Sequence, residues 1–210
     1  MRVVFMGTPE FAVPTLQELL HSEFSVVGVV CQPDRPSGRG KKVQFGPVKT
    51  CAMAQDIPVI QPDKMKSPVF LDTLQSWSPD VIVVAAFGRI LPQAILDLPP
   101  HGCLNVHGSL LPKYRGAAPV QWAVMNGETE TGVTIMVMDA GLDTGAILEQ
   151  SVLPISDEDT AGDVASRMAA LGGELLVSTL KKWLAGTVVA QPQNESEATL
   201  APILKKEDGL

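Results

Sequence analysis

The chain has 210 residues, of which 45% are hydrophobic and 19% are charged, and its formal net charge is −7. This composition supplies the core of one globular domain, and the acidic balance argues against DNA as a partner and against a general nucleic-acid-binding surface. No uncharged apolar run approaches the roughly 18 residues needed to cross a bilayer, so we expect a cytoplasmic protein without a membrane segment.

The first half of the chain alternates short apolar runs with amphipathic stretches. In chain order, the pattern predicts a strand at 3–6, a helix through 11–20, a strand at 24–31, a helix at 47–55, a short strand at 59–60, a helix at 67–77 and a strand at 81–86. Continuous apolar strands separated by helices indicate a parallel sheet that is covered on both faces.

The second half has a different pattern. It predicts strands at 103–107, 132–138 and 146–155, helices at 117–125 and 160–184, and a final strand at 188–191. Asp157 or Asp159 is expected to cap the long helix. The fold class is therefore α/β, with a doubly wound, mostly parallel, Rossmann-like sheet and an antiparallel portion in the second half.

Two common kinds of site are disfavoured. The three cysteines, Cys31, Cys51 and Cys103, are too widely spaced for a zinc site or a disulfide framework, so no metal site is predicted. Gly7 follows the first strand without the remaining glycines of a dinucleotide fingerprint, and Pro9 removes an N–H that a phosphate would need. A nucleotide-dependent oxidoreductase is therefore a distant alternative.

The strongest chemical signal lies at the end of the strand at 103–107. Asn105 and His107 are two residues apart, so their side chains point to the same face. An amide can donate to a developing oxyanion, and an imidazole can carry a proton near neutral pH. The third group that would orient the imidazole is Asp139 or Asp143. Two alternatives remain open. The end of the strand at Asn105 and His107 could have only a structural role, and the segment that contains Asp139 and Asp143 could be a plain turn.

A basic segment at 32–49 stands out in this acidic chain. It contains five cations against the single Asp34, a balance of +5 − 1 = +4: Arg35, Arg39, Lys41, Lys42 and Lys49. Its glycines and prolines are expected to prevent regular structure. A solvated surface loop is the alternative, but five cations in one such segment favour contacts with nucleic-acid phosphates.

A third, weaker signal is the segment Phe87-Gly88-Arg89-Ile90-Leu91 after the strand at 81–86. A small residue between apolar ones allows a flat ligand to approach the backbone. A turn that only ends the strand is an equally good interpretation.

Together these segments resemble the methionyl-tRNA formyltransferase family. The matching stretches are FMGTPEFAVPTL at 5–16, QPDRPSGRGKK at 32–42, AAFGRILP at 85–92, LNVHGSLLPKYRGAAPVQWAVMNGETETGVTIM at 104–136 and MDAGLDTG at 138–145. NVHGSLLP is shared by folate-dependent formyltransferases in general, whereas PDRPSGRGKK points to the tRNA branch.

The resemblance implies a reaction and a set of residues. The catalytic set would be Asn105, His107 and Asp143, and the co-substrate would be 10-formyltetrahydrofolate. The initiator methionyl-tRNA would meet the basic segment through Arg35, Arg39, Lys41 and Lys42. The residues expected to contact the folate are Phe87, Gly88, Arg89, Ile90, Leu91, Ser109, Leu110, Leu111, Pro112 and Asp139.

The resemblance also bears on domain organisation. Members of this family continue for roughly 100 further residues, the size of a small domain. We therefore expect a catalytic domain at 1–189 and the start of a linker to a further domain at 190–210. The competing interpretations are a formyltransferase for a nucleotide sugar or glycinamide ribonucleotide, and a folate- or tRNA-binding fragment without catalysis.

Overall fold

The computed structural model describes residues 1–34, 36–37 and 42–209. Its strands are β1 (Arg2–Gly7), β2 (Ser25–Val30), β3 (Pro36–Ser37), β4 (Lys42–Val43), β5 (Val59–Ile60), β6 (Val81–Ala85), β7 (Cys103–His107), β8 (Glu130–Val137) and β9 (Ile147–Pro154). Its α-helices are α1 (Val13–His21), α2 (Pro47–Met53), α3 (Pro68–Ser76), α4 (Gln93–Leu96), α5 (Pro119–Met125) and α6 (Ala161–Leu184). Within these ranges no helix combines the length and apolarity that a membrane crossing requires.

Seven strands form a mixed sheet in the order β5-β2-β1-β6-β7-β8-β9. β1 is parallel to β2 and β6, β2 is parallel to β5, and β8 is antiparallel to β9. This topology confirms the predicted α/β fold with an antiparallel portion in the second half. The chain divides into two compact units, Met1–Asn105 and Val106–Leu210.

The core of the first unit consists of apolar strands covered by helices. Every residue of β6 and residues 3–6 of β1 are buried, which agrees with their continuous apolar sequence. Helix α1 buries Leu16 and Leu19 on one face. Strand β2 closely approaches the C-cap residue of α3 at Gly28, where an added Cβ would lie 2.4 Å from the ring of Trp77.

The second unit packs helix α6 against its strands. The buried face of α6 repeats at helical spacing through Val164, Met168, Leu176 and Leu180. At Gly172 the helix comes so close to β7 that an added Cβ would lie 2.8 Å from Cγ1 of Val106. The helix therefore rests directly behind the strand that ends at His107.

The prediction that Asp157 or Asp159 caps α6 is wrong. The N-cap is Thr160, whose side chain accepts a hydrogen bond from the backbone N–H of Asp163, while the Asp163 carboxylate accepts from the N–H of Thr160. This reciprocal capping box satisfies two backbone donors of the first turn. Asp159 instead accepts from the N–H of Ser156 and pairs with Arg167.

Two expectations about irregular regions also need correction. The glycines and prolines of the basic segment do not prevent regular structure throughout, because β3 and β4 pair as an antiparallel ladder and α2 begins at Pro47. The strand expected at 188–191 is reduced to a single bridge between Gln191 and Ile147. Helix α4 is a further element that the apolar pattern does not predict, because its four residues span only about one turn.

Candidate active site

Strand β7 presents two polar side chains at its carboxyl end. Asn105 and His107 are 8% and 5% exposed, and alternate positions on a strand share a face. No hydrogen bond joins the side-chain amide of Asn105 to another of the described residues, so the amide is available to a ligand.

The ring of His107 is oriented by a backbone carbonyl. Its Nε2 lies 3.0 Å from the carbonyl oxygen of Tyr114, which can only accept a hydrogen bond. Nε2 therefore carries the proton and donates it, and Nδ1 is the ring nitrogen that is free to gain or lose one. Tyr114 itself has φ 62, a left-handed conformation that turns its carbonyl toward the ring.

Asp143 faces the other ring nitrogen. Its Oδ2 lies 3.7 Å from Nδ1 of His107 and accepts a hydrogen bond of 2.8 Å from the N–H of Gly116. The side chain of Asp143 is only 15% exposed, and its φ of 52 is again left-handed. The carboxylate is thus placed to stabilise a proton on Nδ1 at a distance beyond a direct hydrogen bond.

The two aspartates of the 139–145 loop have different positions. Asp139 is exposed, and its Oδ1 accepts from the N–H of Gly141 and from the hydroxyl of Thr144, which holds the loop in its own turn. The loop is also fixed at Gly145, where an added Cβ would lie 1.8 Å from the carbonyl oxygen of Val137. Of the two candidates left open by the residue pattern, Asp143 is therefore the one beside His107.

Sequence reasoning missed a group that surrounds this loop. Gln193 donates to the carbonyls of Asp143 and Gly145 and accepts from Arg115. Arg115 is 5% exposed and also pairs with both carboxylate oxygens of Glu195, which raises the pKa of the guanidinium above its usual value. Arg115 and Glu195 are 80 residues apart in sequence, so no local motif could reveal the pair.

The side chain of Tyr114 is anchored at its far end. Its hydroxyl donates to Glu128 at 2.5 Å and accepts from Asn126, and its ring packs against Ala123 and Ala201. Burial, followed by the hydrogen bond to Glu128, raises the pKa of this phenol. The position of the carbonyl that binds His107 is therefore supported by a packed ring.

The segment at 109–112, predicted to contact folate, is held by buried polar groups. The hydroxyl of Ser109 donates to the carbonyl of Lys113, and the hydroxyl of Thr134 donates to the carbonyl of Ser109 and accepts from the N–H of Leu111. Gln150 donates to the carbonyl of Leu111. The hydroxyl of Ser109 is thus engaged inside the second unit.

In the first unit, hydrogen bonds also hold the turn at 87–91 in place. Gln32 donates to the carbonyl of Phe87, and Arg89 donates to the carbonyls of Pro62 and Asp63. Phe87 and Leu91 are buried, whereas Ile90 is 80% exposed. The exposed groups that the turn offers to a ligand are therefore around Gly88 and Ile90.

An open cavity of about 550 Å³ lies in the first unit, beyond the carboxyl ends of β1, β2 and β6. Its lining includes Thr8, Gln32, Phe45 and Ala86. This is the edge where open α/β sheets usually bind ligands.

The basic segment is described only in part. Arg35, Arg39 and Lys41 lie outside the described residues, and Lys42 is described only through its backbone on β4. Lys49, the fifth cation of the segment, binds Asp34 at 2.5 Å and Gln61 at 2.7 Å. Lys49 is therefore engaged with protein groups.

The cysteines are unsuited to nucleophilic catalysis. Burial raises the pKa of both Cys31 and Cys103 to about 12. The pKa of the half-buried thiol of Cys51 is also raised, chiefly by desolvation. All three thiols stay protonated near neutral pH, as expected for small buried side chains.

The chain matches a known family over most of its length. Residues 1–180 match the model of the family described as formyl transferase. A methionyl-tRNA formyltransferase from Geobacter sulfurreducens is 53% identical over 210 residues, which are 100% of this chain and 66% of that protein. Another from Synechococcus sp. (strain JA-3-3Ab) is 58% identical over 211 residues, 99% of this chain and 66% of that protein. The chain thus spans slightly less than two thirds of the length of these two relatives.

Solved structures share the fold. Glycinamide ribonucleotide transformylase 1 from Symbiobacterium toebii has a TM-score of 0.75 at 20% identity, covering 92% of this chain and 94% of that one. The N-formyltransferase from Helicobacter canadensis, in complex with folinic acid and dTDP-3-aminofucose, has a TM-score of 0.71 at 23% identity, covering 98% and 71%. At these identities the likeness shows the fold alone. The family model matches residues 1–180, and other methionyl-tRNA formyltransferases, from Acetivibrio thermocellus and Caldanaerobacter subterraneus, are each 53% identical over all of this chain and 67% and 68% of their own length. These matches show that the chain belongs to the formyltransferase family and, within it, to the methionyl-tRNA formyltransferases.

Proposed function

We propose that this chain transfers the formyl group of 10-formyltetrahydrofolate to the α-amino group of initiator methionyl-tRNA. The observation that carries the proposal is the setting of His107: Nε2 is held as a donor by the Tyr114 carbonyl, and Nδ1 faces the Asp143 carboxylate at 3.7 Å. The names of the relatives support the choice of donor and acceptor.

The residues of β7 and the 139–145 loop fit the steps of this transfer. The amine attacks the formyl carbon, a C–N bond forms, and negative charge develops on the formyl oxygen. Asn105 is suited to donate a hydrogen bond to that oxygen. The attacking nitrogen must then lose a proton, which Nδ1 of His107 can accept because its lone pair is free while Nε2 remains bonded to Tyr114.

The second half of the reaction returns the proton. Asp143 stabilises the imidazolium formed by the first transfer. When the bond between the formyl carbon and the folate nitrogen breaks, that nitrogen needs a proton, and the imidazolium can supply it. His107 then returns to its neutral form, so protons balance over one turnover.

Binding roles for the remaining residues belong to the same proposal. In the first unit, the exposed part of the turn at 87–91 would contact folate, and Arg35, Arg39, Lys41 and Lys42 would contact tRNA phosphates. In the second unit, Leu110 and Pro112, which follow Ser109 in the 109–112 segment, would offer apolar contacts to the folate. The predicted boundary between a catalytic domain at 1–189 and a linker, and the cytoplasmic location, stay predictions.

The direct test is transfer of radiolabelled formyl from 10-formyltetrahydrofolate under single-turnover conditions with excess protein. The acceptors are charged initiator tRNA, charged elongator tRNA, a nucleotide amino sugar and glycinamide ribonucleotide. We expect transfer to the initiator tRNA, and loss of that transfer in His107→Ala with the fold retained. Transfer only to one of the small amines would show that the proposed acceptor is wrong, and absence of transfer to all four would refute catalysis by this chain.

A further inference from the structure

Gln193 lies against the loop that contains Asp143. Its side-chain amide donates a hydrogen bond of 2.8 Å to the carbonyl of Asp143 and one of 2.7 Å to the carbonyl of Gly145. The first of these acceptors belongs to Asp143 itself, whose φ is 52, and the second lies two residues later. A non-glycine residue is uncommon in this left-handed region, so surrounding contacts must hold it there.

The other end of the same side chain reaches a second loop. Oε1 of Gln193 accepts from Nε of Arg115 at 3.0 Å and from Nη2 at 2.8 Å. Arg115 stands between Tyr114, whose carbonyl binds His107, and Gly116, whose N–H binds Asp143. One amide group therefore joins the two loops that set the positions of the imidazole and the carboxylate.

Residues that follow Gln193 in sequence also form hydrogen bonds with the loop that contains Arg115. The N–H of Arg115 donates to the carbonyl of Thr199 at 2.8 Å, and the N–H of Ala201 donates to the carbonyl of Arg115 at 2.7 Å. The hydroxyl of Thr199 accepts from the N–H of Tyr114. The stretch that contains Gln193 is therefore hydrogen-bonded to the Tyr114–Arg115 loop at several points. These bonds give the side-chain amide of Gln193 a defined position.

We propose that Gln193 is a positioning residue for formyl transfer: its amide holds the Asp143 turn so that the carboxylate faces Nδ1 of His107. The inference rests on the proposed function above. Gln193 contacts no reacting group in this arrangement and acts through Asp143. A misplacement of about 1 Å in such a group can lower a rate by roughly 100-fold.

The test uses two variants of Gln193 in the full chain. Gln193→Glu has the same size and still accepts from Arg115, but it has no N–H for the two carbonyls. Gln193→Met is neutral and close in size but lacks both the donors and the oxygen that accepts from Arg115. A loss shared by both variants therefore reports the missing donors rather than added charge or the lost contact with Arg115. We expect kcat to fall by about 10- to 100-fold in both, with KM for the formyl donor changed by less than about threefold.

Gln191→Glu is the matched control. Gln191 is exposed and pairs with Ile147 through its backbone, so the same substitution there leaves kcat within about twofold of wild type. If Gln193→Met has the kcat of wild type, or if both Gln193 variants match the control, the positioning role is refuted.

A double-mutant cycle tests whether Gln193 acts through Asp143. In the Asp143→Asn background, Gln193→Met should lower kcat by less than about twofold, because the carboxylate that it positions is already gone. An equal factor in both backgrounds would overturn the inference in favour of a general structural effect.

Amide hydrogen exchange tests the position of the Asp143 loop without depending on formyl-transfer activity. The N–H of Gly116 is bonded to Asp143, so its exchange should accelerate at least about fivefold in Gln193→Met. Unchanged exchange would refute the inference even if kcat fell. If wild type transfers no formyl group, the proposed function fails, and the exchange measurement still decides whether Gln193 holds the loop.

Discussion

Replacing Asp143 by asparagine removes the charge beside His107 and leaves the side chain the same size. The Nδ1–Oδ2 distance is 3.7 Å, and two unit charges about that far apart attract by about 4 kcal/mol at an effective dielectric constant of about 20. The Asp143 side chain is 15% exposed, so solvent and salt screen this attraction only in part. The carboxylate therefore has a large effect on any state in which Nδ1 is protonated.

In the proposed transfer the imidazolium forms as the reaction proceeds, so this attraction would stabilise the transition state more than the bound substrates. Allowing for partial screening, we expect Asp143→Asn to lose about 2–4 kcal/mol of transition-state stabilisation, which lowers kcat by about 30- to 1000-fold. KM for the formyl donor should change by less than about threefold. Single-turnover transfer of radiolabelled formyl measures the rate.

The control variant for this experiment is Asp72→Asn, an exposed position on α3 in the first unit. It should transfer formyl at the rate of wild type. In Asp143→Asn the new amide oxygen can still accept from the N–H of Gly116, so the loop should keep its place and the melting temperature should change little. A kcat for Asp143→Asn within about threefold of wild type would refute the electrostatic role of this carboxylate.

Three further predictions concern other parts of the chain. Asn105→Ala should lower kcat by about 100- to 1000-fold through loss of an oxyanion donor while folate affinity, followed by fluorescence, is retained; an equal loss of affinity would contradict this role. Thr160→Ala should lower the free energy of unfolding by about 1 kcal/mol, seen as a fall of about 2–4 °C in the melting temperature, whereas Asp157→Ala should not. The hydrogen bond from Lys49 lowers the pKa of Asp34 from its usual 3.8, so the stability advantage of wild type over Asp34→Asn should be present above that pH and decline as the pH falls through the lower folded pKa. Urea titrations from neutral pH to below the usual carboxyl pKa check this, and an advantage that does not decline over the acid part of the range would be inconsistent.

The sheet was predictable because its strands depend on local sequence. Residues 81–85 are continuously apolar and fully buried, and the helices between strands carry one apolar face. The cap of α6 was not predictable from the same signals, because several acidic or hydroxyl residues at 157–160 could each have begun the helix. Thr160 is the cap because Asp163 stands three residues later and completes the reciprocal pair.

The candidate site was predictable only where side chains carry the chemistry. Asn105 and His107 stand two apart on a strand, which local periodicity alone reveals. The contacts that orient them do not appear in any motif, since the Tyr114 carbonyl and the Gly116 N–H are backbone groups of a kind found all along the chain. Gln193 acts from 50 residues beyond Asp143, a separation that only the folded chain closes.

Gly172 shows that replacing a helical glycine by alanine, a common way to raise thermostability, would be harmful in this protein. Alanine is favoured over glycine inside a helix by roughly 1 kcal/mol, so an engineer scanning α6 would choose this site early. The added methyl group would instead push on Val106, next to the imidazole-bearing residue. A variant with a more stable isolated helix would therefore be expected to have a displaced His107. The proposed formyl transfer would then be slower although no residue of the proposed site had been altered.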